Sequence, residues 1–266
     1  MKKLLKFILP NIFINFLKSI INKSIGINMD KYYLLDKSKI TYAQDLLYTY
    51  HNADFMKDPL FLESYNLGKA TSSDLIKNND IHWRIHVLCW AAFHAKHIEG
   101  DFVDCGVHTG IFARAIINYI NFPETNKKYY LLDTFSGMDE RFCSKKEMER
   151  NKILGYAEKK QVYDQVKETF KNFNVEIIKG GVPEILHLVK TEKVCFLSID
   201  MNCVQPEVAA LEFFWDKIIS GGIIILDDYG YANSTNDQKE AHDAFAQRKG
   251  VKILTLPTCQ GLIIKP

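Results

Sequence analysis

The stretch "EGDFVDCGVHTG", residues 99–110, decides the fold. It reads as a short strand that runs into an acid, a glycine, three other residues and a second glycine. Such a turn, followed by the helical pattern "IFARAIINYI", opens a βαβ unit, but one glycine of the dinucleotide-binding G-x-G-x-x-G is missing. In that motif the second glycine lets the backbone approach a pyrophosphate. Here the turn is Gly106, Val107, His108, Thr109, Gly110, and bulky residues between the glycines suit a nucleoside better than a dinucleotide.

Outward from this turn the alternation is regular. Upstream, a helix is expected over 81–98, capped by Asp80 and ended by Gly100. Downstream, strand "KYYLLD" is followed by a charged stretch over 134–160 without an obvious strand. Helix "QVYDQVKETFKNF" then precedes strand "VEIIKG", helix "PEILHLV" precedes "VCFLSID", and helix "PEVAALEFFWDKII" precedes "GIIILDD". A last helix over 237–248 feeds "VKILTLP", and "QGLIIKP" closes the chain. Continuous apolar strands separated by amphipathic helices imply a parallel sheet covered on both faces. The last two strands are joined by residues 258–260, too few for a parallel crossover, so the final strand enters antiparallel. The fold expected is α/β: a doubly wound, mostly parallel, Rossmann-like seven-stranded sheet with an antiparallel last strand, the class I methyltransferase architecture. Three regions are expected: an amphipathic helix over 1–26, a helical and loop cap over 27–80, and a cofactor-binding domain over 81–266.

An acid closing the second strand, Asp133 of "YYLLD", is placed to accept hydrogen bonds from ribose hydroxyls. Adenosine joined to a charged amino acid satisfies both the turn and this acid, and that ligand is S-adenosylmethionine. Candidate cofactor contacts are Asp104, Gly106, Val107, His108, Thr109, Gly110, Asp133, Thr134, Gly180 and Asp200. The competing account is that Gly106 and Gly110 only permit tight packing; likewise Gly180 and Gly181 either border the adenine or end a strand. Three further acids, Asp200 of "FLSIDMN" and Asp227 and Asp228 of "IIILDDYG", stand at strand ends facing the same crevice. They repel one another unless something positive lies between them, and Mg²⁺ or Mn²⁺ with oxygen ligands meets that need. Such an ion lowers the pKa of a bound hydroxyl.

Composition narrows the field. With 47% hydrophobic and 25% charged residues the chain is an ordinary globular protein, and a net charge of +2 without a basic stripe argues against nucleic acid. Six scattered cysteines without a C-x-x-C pair suggest buried thiols in the cytoplasm. His82 and His86, one helical turn apart, lack a nearby third ligand for zinc. The leader "MKKLLKFILPNIFINFLKSIINKSIG" is too short and polar to span a bilayer. Its amphipathic pattern fits docking on the protein's own body or a partner subunit in a homo-oligomer, or peripheral contact with the inner face of the membrane through residues 4–21.

The runs "GDFVDCGVHTGIFARAI", "LLDTFSGM", "LSIDMN" and "GGIIILDDYGY", with "DPLFLESYNLGKA" upstream, resemble the macrocin O-methyltransferase family over about residues 58–266. The resemblance implies a class I S-adenosylmethionine fold, a Mg²⁺ site at Asp200, Asp227 and Asp228, a mobile lid after the second strand, and a saccharide or other small-molecule hydroxyl as acceptor. One departure stands out: the family's L-D-x-D-x-Y pattern carries a second aspartate, a candidate general base, where this chain has Asn202, and its aromatic is replaced by Val204. Asparagine cannot take a proton. The candidate catalytic residues are therefore Asp200 with the metal, Asn202 by position, and His108 as a substitute base. N-methylation, a non-catalytic cofactor-binding protein and, less well, a nicotinamide oxidoreductase are the rival readings.

Overall fold

The computed structural model describes residues 15, 16, 19, 37–71, 80–154, 161–231 and 236–266. The amphipathic helix expected over 1–26 lies outside them save for three positions. The chain divides into two compact units, a small one of Met1–Ala43 with Tyr48–Asn52 and a large one of Gln44–Leu47 with Ala53–Pro266.

In the small unit the described residues include a 3₁₀ turn, Lys37–Lys39. The stretch expected as a helical and loop cap over 27–80 also contains a hairpin of β1 (Tyr42–Gln44) and β2 (Leu47–Thr49). Three-residue strands are too short for a period-2 pattern to register in sequence.

The large unit is built on a seven-stranded sheet. Its strands are β3 (Asp101–Cys105), β4 (Tyr129–Asp133), β5 (Val175–Lys179), β6 (Val194–Ile199), β7 (Ile218–Leu226), β8 (Leu254–Thr255) and β9 (Gly261–Ile264), in the order β5-β4-β3-β6-β7-β9-β8. β3 pairs in parallel with both β4 and β6, whereas β9 runs antiparallel to β7 and β8, as the short final connection requires. The helices are α1 (Pro59–Ala70), α2 (His82–Ala95), α3 (Ile111–Tyr119), α4 (Lys145–Leu154), α5 (Val162–Phe170), α6 (Val204–Trp215) and α7 (Asp237–Lys249).

Alternation along the strands feeds two cores. Phe102, Phe196 and Ile223 join Leu88, Ile116 and Phe170 of α2, α3 and α5 on one face. Their neighbours Val103, Leu197 and Ile224 join Leu211, Phe214 and Phe245 of α6 and α7 on the other. Truncating a fully buried phenylalanine such as Phe196 to alanine would cost about 3–5 kcal/mol. A third cluster, with Phe61 and Tyr65 of α1 against Ile85, Ile111 and Ala115, docks α1 on α2 and α3. Gly68 makes this approach possible, since a Cβ there would meet the Ile111 carbonyl oxygen at 2.6 Å.

Several expected boundaries move. "PEILHLV" forms only a 3₁₀ turn, Leu186–Leu188, because Pro183 and a seven-residue span leave too little room for a stable α-helix. The strand read in "VKILTLP" shrinks to Leu254–Thr255, so five residues rather than three lead into β9. Asp80 does not cap α2, whose N-cap is Ile81; it accepts a hydrogen bond from the Tyr65 hydroxyl at 2.9 Å and pairs with Lys69. α2 stops at Ala95, before Gly100. The charged stretch after β4 carries α4, opened by a capping box in which the Ser144 N–H reaches Glu147 at 2.6 Å.

Candidate active site

β3 sits where the sheet's connections reverse: β4 and β5 lie on one side of it, β6 and β7 on the other. Ligands of open α/β sheets bind at this point, beyond the carboxyl ends of the strands. A cleft opens there, walled by Gly106, His108 and residues 133–139, 180–182 and 200–203.

The two turn glycines are demanded by packing. A Cβ on Gly106, whose φ is +95°, would lie 1.8 Å from the Asp200 carbonyl oxygen, and one on Gly110 would lie 2.6 Å from the Phe170 ring. At the same crossing the Asp200 N–H donates to the Cys105 carbonyl at 2.8 Å. Gly106 thus draws the ends of β3 and β6 together and places Asp200 in the cleft wall. His108, with φ +49°, turns its backbone N–H onto the Asp133 carboxylate at 2.7 Å, and the Phe135 N–H reaches the other oxygen at 2.5 Å. Asp133 is fixed by two amides and keeps further lone pairs for hydroxyl donors.

Of the residues singled out in the sequence, Gly106, His108, Asp133, Thr134, Gly180, Asp200 and Asn202 line this cleft. Val107, Thr109 and Gly110 support the turn from within, and Val107 and Thr109 are buried. Asp104 is buried in β3 beside Ser198 of β6, away from the cleft wall; burial raises its carboxyl to about 8, so it is mostly protonated at neutral pH.

Asp227 and Asp228 lie next to Asp200 but turn to arginines. Arg84 of α2, 8% exposed, donates to Asp227 at 2.6 Å, to Asp228 at 3.2 Å and to Asp45 at 2.6 Å. Arg150 of α4 holds Asp228 at 3.1 Å, and the Gln260 amide donates to Asp227 at 2.9 Å. Burial raises Asp227 to about 6, with Arg84 pulling the other way. Burial opposes the Arg84 charge too, but Asp227 and Asp45 outweigh it and raise its pKa. The positive charge that the acids demand is thus partly guanidinium. Among the described residues Asp200 is in no ion pair: Asn202 donates to it at 3.1 Å, and burial, reinforced by Asp227 and Asp228, raises it well above the carboxylate range. With Asp200 ionised, four acids against two guanidiniums leave two negative charges, the sign a hard divalent cation needs, but with Asp227 and Asp228 turned to arginines the oxygens of Asp200, Asp227 and Asp228 do not all come within 4.8 Å of one another. His82 and His86 stack on Tyr65 and Phe55, as packing histidines do.

Sequence reasoning missed Arg84, Arg150, Phe135 and Val182. For Arg84 a signal was present: it lies on the same stripe as buried Leu88, Ala91 and Ala95, where an arginine needs a partner.

The family model for macrocin O-methyltransferase (TylF) matches residues 84–255. A tetracenomycin-C 4'-O-methyltransferase of Streptomyces olivaceus, whose full name specifies an 8-demethyl-8-(2,3-dimethoxy-alpha-L-rhamnosyl) substrate, is 26% identical over 156 residues, covering 53% of this chain and 57% of that protein. The chain thus spans little more than half the length of that relative. Demethyldecarbamoylnovobiocin O-methyltransferase of Streptomyces niveus is 20% identical over 201 residues, covering 65% of this chain and 74% of that one. Among solved structures, the O-methyltransferase NovP superposes with a TM-score of 0.57 at 18% identity, covering 68% of this chain and 79% of NovP. The calicheamicin methyltransferase CalS11 gives 0.54 at 12% identity, covering 88% and 98%. These two similarities bear on the fold.

Proposed function

The chain belongs to the macrocin O-methyltransferase family, and from that premise we propose that it transfers a methyl group from S-adenosylmethionine to a sugar hydroxyl of a glycoside or surface polysaccharide precursor. The observation that carries this reading is the cleft at the reversal of the sheet, where the Gly106 turn, Asp133 and Asp200 face one space. Asp133, held by the amides of His108 and Phe135, receives the ribose hydroxyls. Gly180–Val182 and Phe135 flank the adenine. The names of the relatives, a rhamnosyl tetracenomycin and a novobiocin intermediate, support a glycoside acceptor.

Transfer is a direct displacement. The acceptor oxygen forms a bond to the methyl carbon as the carbon–sulfur bond breaks, and the hydroxyl proton leaves to a base. Asn202 cannot be that base, but its amide orients Asp200 at 3.1 Å, and Asp200 can take the proton once it is itself ionised. His108, in the same cleft wall, is the second acceptor in reach. Asp200, with Asp227 and Asp228 turned from their arginines, would hold a Mg²⁺ or Mn²⁺ ion, which when bound would lower the hydroxyl's pKa. Because burial favours the protonated form of Asp200, cation binding would displace a proton there, so cation affinity should climb with pH.

The test is methyl transfer from S-adenosylmethionine to a panel of rhamnosides and other glycosides, read by mass, with and without chelator. Transfer that stops on chelation and in Asp200→Asn supports the proposal. Cofactor binding without transfer to any glycoside would contradict it.

A further inference from the structure

We propose that Cys143, Glu147 and Cys203 form a binding site for a thiophilic divalent cation of the zinc class, separate from the three aspartates. Among the described residues these are the one group of three ligand-type side chains whose donor atoms all lie within 4.8 Å of one another. A tetrahedral ion with Zn–S bonds of about 2.3 Å spaces its donors about 3.8 Å apart, so closing the site takes roughly 1 Å of movement at most.

The three residues come from two segments that the chain holds together. Cys143 and Glu147 belong to the stretch after β4 that leads into α4, and Cys203 is the N-cap of α6, three residues beyond Asp200. Glu147 bridges the segments already, accepting the Ser144 N–H at 2.6 Å on one oxygen and the Val204 N–H at 2.8 Å on the other. The Cys203 thiol donates to the Phe142 carbonyl at 3.3 Å, which keeps its sulfur on the Cys143 side. Each Glu147 oxygen retains a lone pair for an ion. Two thiols and one carboxylate select zinc, cadmium or cobalt over magnesium. With three protein donors a tetrahedral ion keeps one position for water, and both cysteines line the cleft. Burial pushes both thiols up, so the ion must displace protons and binding strengthens as pH rises. Occupied, the site would pin the segment after β4 to the turn that carries Asp200 and Asn202. The proposal goes beyond the methyl-transfer reading and needs neither cofactor nor acceptor to be tested.

The experiment is titration of the reduced full chain with Co²⁺, followed by absorbance. The site predicts one equivalent bound with thiolate-to-cobalt charge-transfer bands and intense tetrahedral d–d bands. Zn²⁺ displaces the cobalt and millimolar Mg²⁺ does not. Cys143→Ser and Cys203→Ser should each cut the charge-transfer band by at least half and the double variant should abolish it, and Glu147→Gln should weaken binding at least tenfold, while Asp200→Asn leaves the band unchanged. In the unmutated chain, Zn²⁺ should protect Cys143 and Cys203 from alkylation, a readout that does not depend on the variants folding. Cobalt binding without thiolate bands, bands of undiminished intensity in either serine variant, or no protection of these two cysteines would overturn the proposal.

Discussion

Replacing Arg84 with methionine isolates the cation on which the acid cluster depends. The guanidinium is 8% exposed and contacts Asp45, Asp227 and Asp228. Without it Asp228 keeps Arg150, whereas Asp227, 4% exposed, keeps the Gln260 amide among the described side chains. Removing one partner of a buried ion pair costs about 3–5 kcal/mol because the other charge stays buried. The loss should depend on pH. Asp227 has a folded pKa of about 6, above the ordinary carboxylate value, so it takes up a proton on folding. Its contribution to stability therefore falls as pH rises from about 4 to about 6 and is level beyond. Without Arg84 the folded pKa moves higher and the fall continues past pH 6. Variant and parent should diverge above that point, by about 1.4 kcal/mol per pH unit until the variant's own pKa is passed, and converge toward pH 4. Urea denaturation at pH 5 and pH 8 reads this directly. Arg84→Lys, which keeps the charge but not the fork, should fall between the two. A loss below about 1 kcal/mol at pH 8, or the same loss at both pH values, would refute the reasoning.

Three other substitutions carry separate expectations. Gly106→Ala puts a Cβ 1.8 Å from the Asp200 carbonyl at φ +95° and should cost at least about 3 kcal/mol, whereas Gly250→Ala, with φ +70° and open space around it, should cost only about 1 kcal/mol; thermal denaturation compares them. Asp104 is raised to about 8 by burial, so its contribution to stability falls as pH climbs from about 4 to about 8; Asp104→Asn should flatten that slope, and equal slopes in both proteins would contradict the assignment. Asn202→Asp places a second carboxylate 3.1 Å from the Asp200 oxygen, so it should lower stability in chelator and raise Mg²⁺ affinity, as calorimetry can measure.

The sheet was legible because its strands are buried on both faces and read as unbroken apolar runs; all six residues of β6 are buried. The antiparallel final strand followed from connection length alone. What escaped was marginal in local signal: the three-residue strands β1 and β2, and "PEILHLV", whose helix-like composition yields a 3₁₀ turn. In the site, residues at strand ends could be placed because topology sends them to one crevice. The partners of Asp227 could not, since Arg84 is 143 positions away and is brought there by helix packing. The glycine turn also taught a limit: Gly106 and Gly110 are required by close contacts with Asp200 and Phe170, so the motif reports sheet geometry before it reports a ligand.

The most direct measurement is calorimetric titration of the full chain with S-adenosylmethionine and with NAD⁺, each with and without Mg²⁺. The cleft beside Asp133 predicts saturable one-to-one binding of S-adenosylmethionine, competition by S-adenosylhomocysteine, and no binding of NAD⁺. Binding of NAD⁺, or of neither ligand, would contradict the account.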